Sequence, residues 1–353
     1  MDSVPTEIWE HVVHFACSDN GFTGRALSLV CREMHAIVEP YKLRSISIVG
    51  GAQIVKFSEF LASISTTAAA APRMAPQTTI HNLFIGITNP RLFPPLTTSS
   101  DLLLRSALNS LSLLNDPSMP SPTTPPTFGS RQTLRGEALI IVKAVYRILR
   151  LVAPTLHTLH LHFTFETLSS TPFPFPMPRL SELTVYGPLL NSHTGNISST
   201  ISLLTIFPSL KRLRMGNFQG LPTDYLPRLA ISMPQLTHIS LFQPLPSTHH
   251  VYSLGRLIMS PEMFWSGEAL TKIIIEVDIN SVVFQENTTN NGVDRERWKP
   301  MQWLKNLRDC ACRTADTRVR LIETHRSWVD IETAQIEWSR RNMGTDWAAA
   351  FRN

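Results

Sequence analysis

The sequence predicts an α/β protein: a short N-terminal helical module followed by an irregular solenoid of parallel strands alternating with helices. Three observations carry that expectation. A six-residue pattern, apolar-x-x-apolar-x-apolar, returns seven times between residues 43 and 275. Amphipathic helical stretches lie between the copies. Two short amphipathic segments precede the first copy, within residues 4 to 40.

The copies are Leu43/Ile46/Ile48, Ile80/Leu83/Ile85, Leu156/Leu159/Leu161, Leu180/Leu183/Val185, Leu210/Leu213/Met215, Leu236/Ile239/Leu241 and Leu270/Ile273/Ile275. Before four of them a proline stands two residues ahead of the first apolar position, at Pro154, Pro178, Pro208 and Pro234. The pattern is that of a short strand entered through a proline turn, since proline presets the φ that such turns require. Between copies the clearest helix is residues 137 to 152, where Ile141, Val142, Val145, Ile148, Leu149 and Val152 form one face. No such unit buries its own apolar residues, so neighbours must stack, with the triplets turned inward between a parallel sheet and an outer layer of helices. The spacing of the copies is uneven, at 37, 76, 24, 30, 26 and 34 residues, and the longest interval leaves room for one further unit.

Side chains alternate across a strand, so the residues between and just after the triplet positions are expected on the opposite, concave face. That set is Phe84, His160, His162, Thr184, Tyr186, Arg212, Arg214, His238, Phe242, Lys272, Ile274 and Glu276. Aromatics, arginine and histidine together suit a protein-binding surface. The candidate target-binding residues are therefore Phe84, His160, His162, Tyr186, Arg212, Arg214, His238, Phe242 and Lys272. Residues 115 to 130, "NDPSMPSPTTPPTFGS", are expected to form a disordered Pro/Ser/Thr loop. "VRLIE" at 319 to 323 suits a last strand. Trp328, Ile331, Gln335 and Trp338 then follow at helical spacing, as a terminal helix expected to cap the open end of the stack.

At the other end, Pro5 suits a helix start and Glu7 sits favourably in its first turn. Val4, Ile8, Val12 and Phe15 form one apolar stripe, "SDNG" at 18 to 21 breaks the helix, and a second stripe runs through Leu27, Val30, Met34 and Ile37 or Val38 until Pro40. Two helices this short cannot cover their own apolar surface. The cover must be the rest of the chain or another protein.

"VPTEIWEHVV" followed by "ALSLVCREMHAIVEPY" resembles the F-box, and the intervening "SDNGFTGR" and trailing "PYKLRSISI" resemble a variant common in F-box-like proteins of mushroom-forming fungi. The strand-and-helix units behind it resemble the irregular leucine-rich repeats found after F-boxes. The resemblance implies a module at residues 1 to 45 that docks on the Skp adaptor of a cullin ubiquitin ligase, and a repeat domain at 46 to 353 that selects a protein target. It implies that Val4, Pro5, Ile8, Val12, Leu27, Leu29, Val30 and Cys31 make or support the adaptor contact. The competing expectation is a repeat scaffold or sensor whose N-terminal helices only cap the solenoid.

Composition narrows the alternatives. The 353 residues are 43% hydrophobic and 17% charged, a globular balance. The four cysteines, Cys17, Cys31, Cys310 and Cys312, make no disulfide framework, and no secretory signal or plain membrane-spanning stretch is evident. A cytoplasmic or nuclear protein without a membrane partner is expected. The net charge of +5 is spread along the chain, and even residues 294 to 326, with nine Lys or Arg against five Asp or Glu, read as solvated helix faces. Nucleic acid is not the expected partner. Phosphate loop, nucleophile elbow and zinc-helix motifs do not appear. His160 and His162 share a strand face but lack carboxylates nearby in sequence, so no metal, cofactor or enzymatic activity is expected.

Overall fold

Each copy of the apolar triplet becomes a strand. The computed structural model describes residues 4–19, 21–70, 79–87, 131–163, 175–186, 207–216, 233–242, 271–278, 305–306, 308–309, 319–324 and 331–342. Eight strands form one parallel sheet whose spatial order follows the chain: β1 (Ser45–Val49), β2 (Asn82–Ile87), β3 (Thr158–Phe163), β4 (Glu182–Tyr186), β5 (Arg212–Gly216), β6 (His238–Phe242), β7 (Lys272–Asp278) and β8 (Val319–Thr324). The sheet is open, and its strictly sequential order is compatible with a solenoid. The seven strands are in mutual register, with Ile46, Leu83, Leu159, Leu183, Leu213, Ile239 and Ile273 in one row, while Leu270 of the last triplet lies outside the described residues. The "VRLIE" segment continues that row through Val319. Because β2 pairs directly with β3, the 76-residue interval between their triplets inserts no strand between them.

The proline turns explain how each strand begins. In three repeats the turn closes from the Leu N–H to a carbonyl three residues back: Leu180 to Met177, Leu210 to Phe207 and Leu236 to Met233. Proline takes the second position of each turn, where its fixed φ suits a turn. Met177, Phe207 and Met233 are themselves buried, so each repeat carries one apolar anchor more than the triplet. Beyond the turn, two consecutive N–H groups share one carbonyl of the preceding repeat. His81 and Asn82 donate to Arg44 O, His157 and Thr158 to His81 O, Ser181 and Glu182 to His157 O, and Lys211 and Arg212 to Ser181 O. Hydroxyls add to this ladder, with Ser181 Oγ donating to His157 O at 3.1 Å and Thr237 Oγ1 to Lys211 O at 2.9 Å.

The triplet face packs under two long helices, α4 (Gly51–Ala70) and α5 (Arg131–Val152), numbered after the three helices of the N-terminal module. Ile54 and Leu61 of α4, with Ile141, Val145, Ile148, Leu149 and Val152 of α5, join the triplet residues in one core. The apolar face read at 137 to 152 is the buried one.

The module comprises α1 (Thr6–Ala16), α2 (Phe22–Leu27) and α3 (Arg32–Val38). The stripe expected to run unbroken from Leu27 to Ile37 or Val38 is divided. Cys31 adopts an extended conformation, φ −160° and ψ 170°, and its Sγ accepts the Met34 N–H at 3.4 Å, so α3 starts afresh there. Gly21, at φ 74°, turns the chain into α2 in a conformation that side-chain-bearing residues rarely adopt.

The last helix corrects a second expectation. Residues Ile331–Asn342 form α6, which lies on the inner face of the sheet against β2 and β3 rather than serving only as a plug at the open end. Ile331, Ala334 and Trp338, at i, i+3 and i+7, cluster with Phe84, Tyr186 and Phe242. Gly86 permits the approach: a Cβ there would lie 2.1 Å from Ile331 Cδ1. Asn342 Nδ2 donates to Ser45 Oγ at 3.4 Å. Trp328, Cys310, Cys312 and the 115 to 130 loop lie outside the described residues.

Candidate functional site

Two surfaces follow from this packing, one on the module and one on the sheet. The module closes on a small core. Val13 of α1 and Cys17, its C-cap one turn further on, meet Val38 of α3, with Leu27, Ile37 and Tyr41 packed against them. That choice of inward face turns the larger stripe outward. Ile8 is 51% exposed, Val12 47% and Phe15 75%, and Val4 is exposed beside them. In the turn between α2 and α3, Leu29 and Val30 are exposed as well, along with Phe22 at the start of α2. Pro5 is exposed at the head of α1, where its carbonyl accepts the Ile8 N–H at 3.1 Å. Cys31 is exposed and Leu27 half-buried. The eight residues named from the sequence for docking thus include seven exposed ones. A groove of about 350 Å³ separates the module from β1 and α4, lined by Arg25, Lys42, Ile46, Phe57 and Phe60 among others.

The sheet surface differs from expectation. Of the nine candidate target-binding residues, Phe84, His160, His162, Tyr186, Arg214 and Phe242 are buried. Thr184 and Ile274 of the same face are buried with them. The aromatic composition that suggested a binding surface instead required a cover, and α6 is part of it: Trp338 packs on Phe84 with ring centroids 5.6 Å apart. His160 lies between Phe84 and Tyr186, at 4.6 and 5.4 Å.

Arg214 is held within this face as a cation. Glu337 of α6 accepts from it at 3.0 Å and Glu276 of β7 lies 3.5 Å away, while its guanidinium sits 5.8 Å from the Tyr186 and Phe242 ring centres. Burial by itself would lower the Arg214 pKa, but Tyr186, Glu276 and Glu337 outweigh it and the net shift is upward. Burial pushes the Tyr186 hydroxyl up to about 12. His160 is driven well below its ordinary value by burial first, then by Arg341, His162 and Arg214, and is neutral. Both His160 ring nitrogens, the Tyr186 hydroxyl and Trp338 Nε1 lack hydrogen-bond partners among the described residues.

Arg212, His238 and Lys272 keep partial solvent access at the first position of their strands, in one row with Asn82, Thr158, Glu182 and the buried Ser45. Arg212 donates to Glu182 across the row. The row just before it contains Arg44, His81, His157, Ser181, Lys211, Thr237 and Thr271, joined by the shared-carbonyl ladder. Arg44, His81, His157 and Lys211 are not among the residues expected at the site, although they directly follow the first apolar position of four triplets. Among the described residues no group of three or more His, Cys, Asp or Glu is placed to hold a metal, and no helix is long and apolar enough to cross a membrane.

Fold and surfaces together define an α/β protein of repeat-like construction, with an outward apolar stripe on its helical module and a polar, basic edge on its sheet. No family model, curated protein or solved structure matches the chain.

Proposed function

We propose that the protein is an F-box-type substrate receptor of a Skp–cullin ubiquitin ligase, with leucine-rich-repeat-like units behind the docking module. The observation that carries this reading is the outward stripe of Val4, Ile8, Val12 and Phe15, with Leu29 and Val30 in the following turn. Exposed apolar residues gathered on one short module mark a surface awaiting a partner, since scattered single exposures would be the ordinary case. A scaffold whose N-terminal helices merely cap the repeats would bury that stripe against β1 and α4; here Val13 and Cys17 face inward and the stripe faces solvent.

In this reading Val4, Pro5, Ile8, Val12, Leu29, Val30 and Cys31 contact the adaptor, with Leu27 supporting them from its half-buried position. The protein catalyses nothing itself and requires no cofactor. It acts by proximity in the cytoplasm or nucleus, raising the effective concentration of a protein target near the ubiquitin-loaded enzyme. Membrane and nucleic acid have no part in the mechanism. The test is retention of a purified Skp adaptor by the full-length chain. Binding at micromolar concentration is expected, and no retention at that concentration refutes the reading.

A further inference from the structure

With α6 covering part of the inner face, the line where the strands begin is the side of the sheet that keeps basic side chains in reach of solvent among the described residues. Two successive rows meet there. One holds Arg44, His81, His157, Ser181, Lys211, Thr237 and Thr271, and the other Ser45, Asn82, Thr158, Glu182, Arg212, His238 and Lys272. Arg179 stands exposed in the turn before β4. Arg44, Arg179, Lys211, Arg212 and Lys272 are fixed cations, and Glu182 is the single carboxylate of the two rows. The net charge of this ridge is therefore strongly positive, although the same residues are dispersed across 229 positions of the sequence, from Arg44 to Lys272. At ~4.8 Å between strands, seven strand entries extend over roughly 29 Å, the length of about nine residues of extended chain.

Three histidines lie among these cations. The rings of His81 and His157 are 5.0 Å apart. Burial first, then Arg44, His157, His14 and Arg179, lower His81 to about 4. His157 is lowered by burial and then by Arg179 and Arg44, and His238 by burial and then by Arg212 and Lys272. At neutral pH these rings are neutral hydrogen-bonding groups among fixed charges.

We propose that this strand-entry ridge binds an extended, carboxylate-rich segment of the protein target, an inference that rests on the chain being a target receptor. Three features select that ligand. The ridge N–H groups are already spent on the preceding repeat's carbonyls, so no backbone nest is left to cradle a phosphate, and recognition falls to side chains. The cations are strung along a line rather than converged on one point, which suits charges distributed along a peptide. The two rows contain no Phe, Tyr or Trp on which nucleic-acid bases would stack.

The experiment uses the full chain and four fluorescent probes: a glutamate-rich nonapeptide, its glutamine counterpart, the glutamine peptide with one phosphoserine, and a single-stranded RNA oligonucleotide. The glutamate peptide is expected to bind, to weaken as salt is raised, and to lose about tenfold in affinity in the Arg179→Glu/Lys211→Glu double variant, whose side chains are exposed and whose fold should be unchanged by circular dichroism. Equal binding of the glutamate and glutamine peptides, or full affinity in the folded double variant, overturns the proposal. Tighter binding of the phosphopeptide or of RNA than of the glutamate peptide overturns the choice of ligand. Adaptor binding, measured on the same samples, separates the two readings. Peptide binding without adaptor retention supports the ridge and removes the ligase role, whereas adaptor retention without peptide binding removes only the ridge.

Discussion

Trp338→Ala should release α6 from the inner face. The side chain is 1% exposed and packs on Phe84, in a cluster completed by Tyr186, Phe242, Ile331 and Ala334. Truncating a buried aromatic to alanine costs about 3–5 kcal/mol through lost transfer energy and the cavity left behind. At about 2.1 cal/mol/K of unfolding entropy per residue, a chain of this length melting as one unit would lose about 4–7 °C in Tm. The same substitution should uncover Phe84, Tyr186 and Phe242, which calorimetry alone does not report. Differential scanning calorimetry combined with binding of an apolar dye therefore gives both halves of the prediction. Ile336→Ala is the internal control, because Ile336 projects from α6 with 52% exposure and its truncation should cost well under 1 kcal/mol. Equal Tm values for wild type and Trp338→Ala, or equal losses for Trp338→Ala and Ile336→Ala, would refute the assignment of the buried face.

Two further outcomes follow from the same face. Gly86→Val should also dislodge α6, since even a Cβ at that position meets Ile331 Cδ1 at 2.1 Å; raised dye binding and faster proteolysis near residues 331 to 342 would register it, and unchanged dye binding would contradict it. His160 makes stability pH-dependent: its folded pKa lies well below its ordinary 6.5, so the unfolded state binds more protons as pH falls through that value. Stability present above pH 6.5 is thus lost progressively on acidification below that value. Denaturant titrations at pH 7 and 5 should show a smaller acid loss in His160→Phe than in wild type, and identical losses would count against a neutral buried imidazole.

The strands were legible because their signal repeats. One apolar-x-x-apolar-x-apolar stretch means little, but stacking neighbours must present the same face at the same register, so the copies reinforce one another. What the triplet does not report is the opposite face. In β7, Ile273, Ile274 and Ile275 are consecutive, and all three are buried. Such an unbroken run belongs to a sheet covered on both faces rather than one. Phe84, Tyr186 and Phe242 carried the same message, since large aromatics on three strands of one face bury more than they expose. The cover itself was visible as a helical period at Ile331 and Trp338, but periodicity gives the apolar face of a helix and not the surface it meets. The ridge was hidden for a different reason: its charges come from separate repeats, so no local window holds more than two of them, and only register brings them into line. On the module, the stripe of Val4, Ile8 and Val12 was read directly, while the smaller Val13/Cys17 line that closes the core was overshadowed by it.

Two substitutions on opposite sides of α1 test the docking stripe most directly. Ile8 is half exposed and Val13 fully buried, so an aspartate at each position asks which side meets a partner and which holds the module together. Ile8→Asp is expected to lose Skp-adaptor binding, because the carboxylate must be desolvated in an apolar contact without a partner, while Tm stays within about 1 °C of wild type. Val13→Asp is expected to unfold the module and lower Tm, with adaptor binding lost as a consequence. Isothermal titration and calorimetry on the same three proteins read both quantities. Ile8→Asp that binds the adaptor as wild type does, or that loses stability as Val13→Asp does, would contradict the claim that this stripe is a docking surface.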